Sequence, residues 1–123
     1  MTNIEKECVR LWQQCMSIIW GKNCCWCRQY GDLTGHHIIG RSKYLTKFSL
    51  MNGIGLCHEC HRKIHDDAVG QAQFINFLED SWPDLFLFYS ENLPIANQDC
   101  EGWSKSELKD IKAKLKTFIV EHK

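Results

Sequence analysis

Two cysteine pairs, Cys24-x-x-Cys27 and Cys57-x-x-Cys60, constrain this chain more than any other feature of it. Tetrahedral zinc takes its thiolates from such short turns, and four sulfurs close a structural site. Eight cysteines in 123 residues also admit a disulfide scaffold. The opening residues, Met1-Thr2-Asn3-Ile4-Glu5-Lys6-Glu7, are not a basic leader before an apolar run. No signal peptide is therefore expected, and metal binding is the preferred reading. Cys25 with Cys27 is an alternative pair, although two intervening residues suit a zinc turn better than one. Cys8 and Cys15 lie on an apolar helical stripe and are expected to be core thiols. Cys100 sits in a polar segment as a candidate free thiol. A chain of this length is expected to form one domain, 1–123, whose small core a structural metal would help to hold.

Hydrophobic periodicity predicts an α+β fold. Ile4, Cys8, Leu11, Trp12, Cys15, Ile18 and Ile19 recur at three- and four-residue steps, predicting a helix over 3–20. Leu33 to Ile39 reads as a short strand, Asn52-Gly53 as a turn signal, and Ile54-Gly55-Leu56 as a second strand. A helix carrying His61 and His65 follows, with Gly70 expected to close it. This β–β–α order defines a core over 22–70, flanked by helical segments 3–20 and 71–121. Phe74, Ile75, Phe77, Leu78 and Trp82 form a further helical stripe before Pro83. Leu85 to Tyr89 is apolar all round, so its period does not separate helix from strand; helix is preferred. A polar loop is expected over Pro94 to Gly102. Ser104-x-x-Glu107 is a capping-box pattern opening a last helix with Leu108, Ile111, Leu115, Phe118 and Ile119 on one face. The first and last helices are expected to pack on each other or on the zinc core. No apolar run approaches the length of a membrane span.

A second set of potential ligands is threaded around the cysteines. His61 and His65 are four apart, so a helix puts both on one side. Together with His36 they can hold a divalent ion and leave positions open for water and a phosphate oxygen. His37 points to the opposite side of its strand from His36, which keeps it off that ion. A histidine titrates near neutrality, so His37 suits general-base work on water. Asn52 cannot titrate; its amide is expected to fix the orientation and tautomer of His37. A closed thiolate site beside an open imidazole site is an arrangement suited to phosphodiester hydrolysis. His58 and His122 have no such context.

The net charge of zero conceals segregation. Residues 22–63 carry seven Lys or Arg against two acids, 64–104 carry eight acids and no Lys or Arg, and 105–123 carry six Lys and three acids. Local charge decides whether a polyanion can dock. Arg41, Lys43 and Lys47, in a loop that also holds Tyr44 and Phe48, are the expected DNA contacts. The acidic stretch 64–104 is expected to face away from DNA, or to meet a protein partner such as a second copy.

The segment Cys24–His65 resembles the HNH endonucleases that carry a four-cysteine zinc knuckle on a ββα-metal fold. The likeness rests on His37, Asn52 and the ending Cys57-x-x-Cys60-His61-x-x-x-His65. Many members have Asp before the general-base histidine; this chain has His36, as in colicin-type members with paired histidines. By position, the resemblance implies His37 as general base, Asn52 as its orienting residue, and His36, His61 and His65 on the metal side, with His61 also catalytic. It implies structural Zn2+, a catalytic Mg2+ or other divalent ion, and DNA as substrate. The flanks, including Gly102-Trp103-Ser104-Lys105-Ser106-Glu107-Leu108-Lys109-Asp110-Ile111, resemble phage-encoded HNH proteins of the NinG/Rap recombination type. That implies action on branched DNA in the cytoplasm of a host cell. The competing classes are a zinc-stabilised DNA-binding module without catalysis and a protein-interaction domain working through 64–104.

Overall fold

The computed structural model describes residues 1–40, 43–96 and 102–122. The described residues form five helices and one antiparallel hairpin: α1 (Asn3–Trp20), β1 (Thr34–His37), β2 (Gly53–Leu56), α2 (His58–Asp66), α3 (Ala68–Ser81), α4 (Pro83–Ala96) and α5 (Lys105–His122). A 3-10 turn, Leu50–Asn52, leads into β2. The protein is thus α+β and mostly helical, and β1, β2 and α2 follow one another in the expected order. β1 is shorter than the strand expected over Leu33 to Ile39. The pairing ends at His37–Gly53, and beyond it the Ile39 backbone is held by the Asn52 side chain.

Helix α1 begins where the Thr2 hydroxyl accepts the Glu5 N–H, and ends at Gly21, whose φ of 65° suits glycine. One side of α1 meets α5. Cys8, Leu11 and Cys15 are buried there with Leu108, Leu115 and Ile119. The Cys8 and Cys15 thiols donate to the carbonyls of Leu108 and Leu115, at 3.5 and 3.8 Å. Both are core thiols, as their place in the stripe predicts. The start of α5 forms the expected capping box, with Glu107 N–H donating to Ser104 Oγ and Ser104 N–H to Glu107 Oε1. Lys112 on α5 pairs with Glu7 on α1.

The other side of α1 lies on the hairpin, and three glycines allow it. In an antiparallel pair, opposite residues face the same side, and Gly35 opposes Gly55 while His37 opposes Gly53. A Cβ on Gly53 would lie 2.2 Å from Met16 Sδ and 2.5 Å from a Trp12 ring carbon. A Cβ on Gly55 would lie 2.6 Å from Trp20 Cβ, and one on Gly35 2.8 Å from Met16 Cγ. The opposite side of the hairpin carries His36, Ile54 and Leu56, and it packs into a second cluster with Cys24, Cys25, Cys60, Ile64, Phe74 and Leu78. Trp20 packs against both clusters.

Gly70 does not close α2. That helix ends at Asp66, and Asp67 caps α3 by accepting the Val69 N–H at 2.9 Å. Gly70 lies inside α3, where an added Cβ would come within 2.2 Å of the Lys63 carbonyl oxygen. The glycine marks a close crossing of two helices rather than a terminus. Leu85 to Tyr89 is helical, and α4 extends through Pro94 to Ala96, further than the polar loop expected to start at Pro94. Cys100 and the rest of 97–101 lie outside the described residues. None of the described helices is long and apolar enough to cross a membrane.

Substituting Gly53 with Ala should cost about 1–3 kcal/mol of stability, the usual penalty for overpacking a close contact. Urea denaturation checks this; a midpoint equal to the parent's would show that α1 does not rest on the hairpin at this position.

Candidate metal centres

Two tight turns bring four sulfurs together. In the first, Cys24 N–H donates to the Gln29 carbonyl and Arg28 N–H to the Cys24 carbonyl, both at 3.0 Å. Arg28 holds a φ of 67°, a left-handed conformation uncommon outside glycine, and its guanidinium lies 5.2 Å from the Trp82 ring centroid. The Cys25 N–H donates to the Gly55 carbonyl at 2.9 Å, tying this turn to β2. In the second turn Cys57 immediately precedes α2 and Cys60 lies in the first turn of that helix. The sulfurs of Cys24, Cys27, Cys57 and Cys60 all lie within 4.8 Å of one another. Those of Cys27 and Cys57 are 3.7 Å apart, close to the edge of about 3.8 Å that a tetrahedron with ~2.3 Å Zn–S bonds requires.

The surroundings favour thiolate at one corner of this cluster. Burial opposes ionisation of Cys24, but backbone N–H groups of Cys57, Cys27 and Trp26 outweigh it and bring the thiol down to about 7. Burial pushes the Cys60 thiol up, so it gives up its proton only in exchange for a cation. Cys25 is not in the cluster. It is buried, and burial together with the nearby Cys24 charge pushes its thiol up to about 12. The four-cysteine cluster therefore has the composition and spacing of a structural zinc site, placed between the hairpin and α2.

A second cluster lies one turn further along α2. The ligand nitrogens of His36, His61 and His65 lie within 4.8 Å of one another, with His61 Nε2 and His65 Nε2 at 3.0 Å. His36 reaches them from β1, its ring 5.0 Å from that of His61 and 5.1 Å from that of His65. Phe74 of α3 backs His36, with ring centroids 6.2 Å apart. Burial, and then the neighbouring imidazoles, pull the His36 pKa down to about 3; burial also lowers that of His61. Both rings are thus neutral at pH 7, the form that binds a metal. The three open into a cleft of about 370 Å³ that His37, Gly40, Val9 and Gln13 also line.

His37 turns to the α1 side of the hairpin. Its ring stacks on Trp12 at 3.9 Å between centroids, 7° from parallel. Its Nε2 is 2.9 Å from the Lys47 carbonyl oxygen. A carbonyl only accepts, which assigns the hydrogen of the neutral ring to Nε2 and leaves Nδ1 as the basic nitrogen. Asn52, expected to orient His37 directly, holds other groups. Its two amide hydrogens go to the carbonyls of Ile39 and Thr46, each at 3.0 Å, and its Oδ1 accepts the Ile39 N–H at 2.7 Å. Asn52 is fully buried and fixes the loop that presents the Lys47 carbonyl, so its effect on His37 passes through the backbone.

Of the three cations expected at DNA, Arg41 lies outside the described residues. Lys43 is partly exposed. Lys47 corrects the expectation: it is only 6% exposed, and its ammonium lies 5.4 Å from the Phe48 ring, 5.8 Å from the Tyr44 ring and 3.8 Å from Met1 Sδ. Its stem and charge are absorbed by the loop's own aromatics. Sequence reading also missed the part played by α1. Gln13 binds the Gly35 backbone twice, through Gly35 N–H to Oε1 at 2.9 Å and Nε2 to the Gly35 carbonyl at 3.0 Å, pinning β1 beside the histidines. A polar residue bordering an apolar helical stripe was the only hint of this in the sequence. Comparison with family models, with curated proteins and with solved structures found no match.

Purified protein should carry one tightly held zinc at the cysteines, and Cys60→Ala should lose it and unfold, since metal affinity at such a site is folding free energy. Cys25→Ala should still retain it. Elemental analysis and circular dichroism read both variants; a folded, zinc-free Cys60→Ala, or zinc lost from Cys25→Ala, would show that the ligand set is wrong.

Proposed function

We propose that this protein is a metal-dependent DNA endonuclease of the HNH type, hydrolysing phosphodiester bonds in the cleft between α1 and α2. The observation that carries the reading is the convergence of three imidazoles on one point, with a fourth, differently held histidine lining the same cleft. A zinc-stabilised binding module explains the cysteines but gives no reason for that convergence.

The donor set fits a divalent ion. Two Nε2 atoms 3.0 Å apart approach the separation of about 3.3 Å that ~2.0 Å metal–nitrogen bonds require in a tetrahedron. His36, His61 and His65 would hold the ion. Three imidazoles and no carboxylate suit Zn2+, Ni2+ or a similar transition ion better than Mg2+, which prefers oxygen ligands. Bound there, it would stabilise charge on a phosphate and its leaving oxygen. His37 Nδ1 takes the proton of the attacking water, and the Lys47 carbonyl holds the opposite side of the ring while the charge on it changes. Asn52 keeps that carbonyl in place.

The distribution of charge supports docking of DNA on the cleft side. Lys6 and Arg10 of α1 are exposed and lie on the same helical stripe as Val9 and Gln13, which line the cleft. Arg62 is exposed on α2 next to His61, and Lys43 leads the loop behind His37. The exposed acids Glu79, Asp80, Asp84 and Glu91 lie on α3 and α4, which makes those helices a poor surface for a polyanion. Action on branched DNA in recombination belongs to the same reading, and the likeness of the flanks supports it.

In a plasmid-nicking assay, His37→Ala should lower kcat by about 10²–10⁴-fold, as loss of a general base does, with zinc content and DNA affinity near those of the parent. Cutting at the parental rate would refute the assignment of His37. DNA affinity should fall with salt with a log–log slope of about −2 to −4, and replacing Lys6, Arg10 and Arg62 together by Gln should flatten it by about two units. An unchanged slope would move the DNA to another surface.

A further inference from the structure

The Trp12 indole meets the imidazole of His37 face to face, and both rings, with Asn52, hang from one short loop. The loop is wound by Lys47 N–H to the Tyr44 carbonyl at 3.3 Å and Ser49 N–H to the Thr46 carbonyl at 3.1 Å. Its carbonyls are then shared out: Thr46 to Asn52 at 3.0 Å, Lys47 to His37 at 2.9 Å and Ser49 to the Trp12 indole N–H at 3.0 Å. Trp12 is fully buried, and the glycine at position 53 leaves it room beneath β2.

We infer that Trp12 is a positioning residue for His37, a flat plate that sets the plane of the general base. The hydrogen bond at Nε2 fixes the direction of one ring nitrogen. Stacking at 3.9 Å and 7° from parallel sets the plane of the ring, because turning the ring about that bond would drive its edge into the indole. The two restraints together fix the line along which Nδ1 meets water. Trp12 and His37 take their restraints from carbonyls two residues apart, so plate and base keep register with each other. The periodicity of α1 gives Trp12 a core position and no more; its second role follows from what lies on its outer face.

This inference rests on the nuclease reading, and the test separates the two. Trp12→Leu and Trp12→Phe are compared with the parent and with His37→Ala under saturating DNA, with zinc content and circular dichroism confirming the fold. Trp12→Leu should lower kcat by about 10²-fold, the cost of misplacing a reacting group by roughly 1 Å, while KM stays near the parent's. Trp12→Phe keeps an aromatic face and loses the Ser49 bond, so its loss should stay at or below about tenfold. In the His37→Ala background, Trp12→Leu should cause no further loss, since a plate without a ring to orient has no effect. Nuclear magnetic resonance supplies a reading independent of activity: the His37 ring protons should be shifted upfield by the indole in the parent and lose that shift in Trp12→Leu. A parent that cuts DNA while Trp12→Leu cuts equally fast, or a kcat loss that persists undiminished without His37, overturns the inference and leaves the nuclease reading standing. A parent and variants that are all inert with DNA overturn both. Should Trp12→Leu fail to fold, Trp12→Phe decides: a normal upfield shift with a kcat loss beyond tenfold, or a lost shift with full kcat, overturns it.

Discussion

Four sulfur atoms must share a volume small enough for one tetrahedral ion, and the rest of the structure depends on that demand. The turn carrying Cys24 and Cys27 and the turn carrying Cys57 and Cys60 are separated by 29 residues, which contain β1, the loop behind His37 and β2. Once the sulfurs meet, the start of α2 is fixed against the hairpin, and His61 and His65 follow one turn later. His36 then has its partners. Without the clamp, α2 would be a nine-residue helix, too short to be stable alone in water, and neutral imidazoles would have no reason to converge.

The hairpin serves two masters because side chains alternate along a strand. His36 faces α2 and α3, and its neighbour His37 faces α1. One imidazole is buried among other imidazoles and held neutral; the next is stacked on an indole and bonded to a carbonyl. Adjacent residues of one type thus acquire different chemistry from the two sides of a two-stranded sheet. Glycines at 35, 53 and 55 let α1 lie close enough for its own side chains to reach the second of these histidines. The interior of the fold and the candidate site are the same contact seen from opposite ends.

What the sequence made legible follows from local rules. Cysteine spacing, the α1 stripe, the i, i+4 histidines and the Ser104–Glu107 box are all set within a few residues, and each appears where the pattern puts it. The failures are long-range. Gly70 carries the signal of a helix end, yet it serves a crossing with Lys63 that no local pattern encodes. Lys47 reads as a surface cation in a basic loop, and only the fold brings Tyr44, Phe48 and Met1 around it. Asn52 reads as a partner for the His37 imidazole, but its hydrogens go to backbone carbonyls. Trp12 looks like any apolar member of a stripe, because a helix period reveals which side is buried and nothing about what the buried ring touches.

The central claim is that the cysteines hold a structural ion while the histidines hold a second ion that is needed for cleavage. Its most direct measurement is a titration. Protein carrying zinc at the cysteines alone is mixed with labelled DNA, and single-turnover cleavage is followed as Ni2+ or Zn2+ is added. Cleavage should be negligible at the start and its rate should saturate at one further equivalent of metal per chain, with His65→Ala failing to respond over the same range. Full cleavage with only the cysteine site filled, or no cleavage at any metal content, would contradict it.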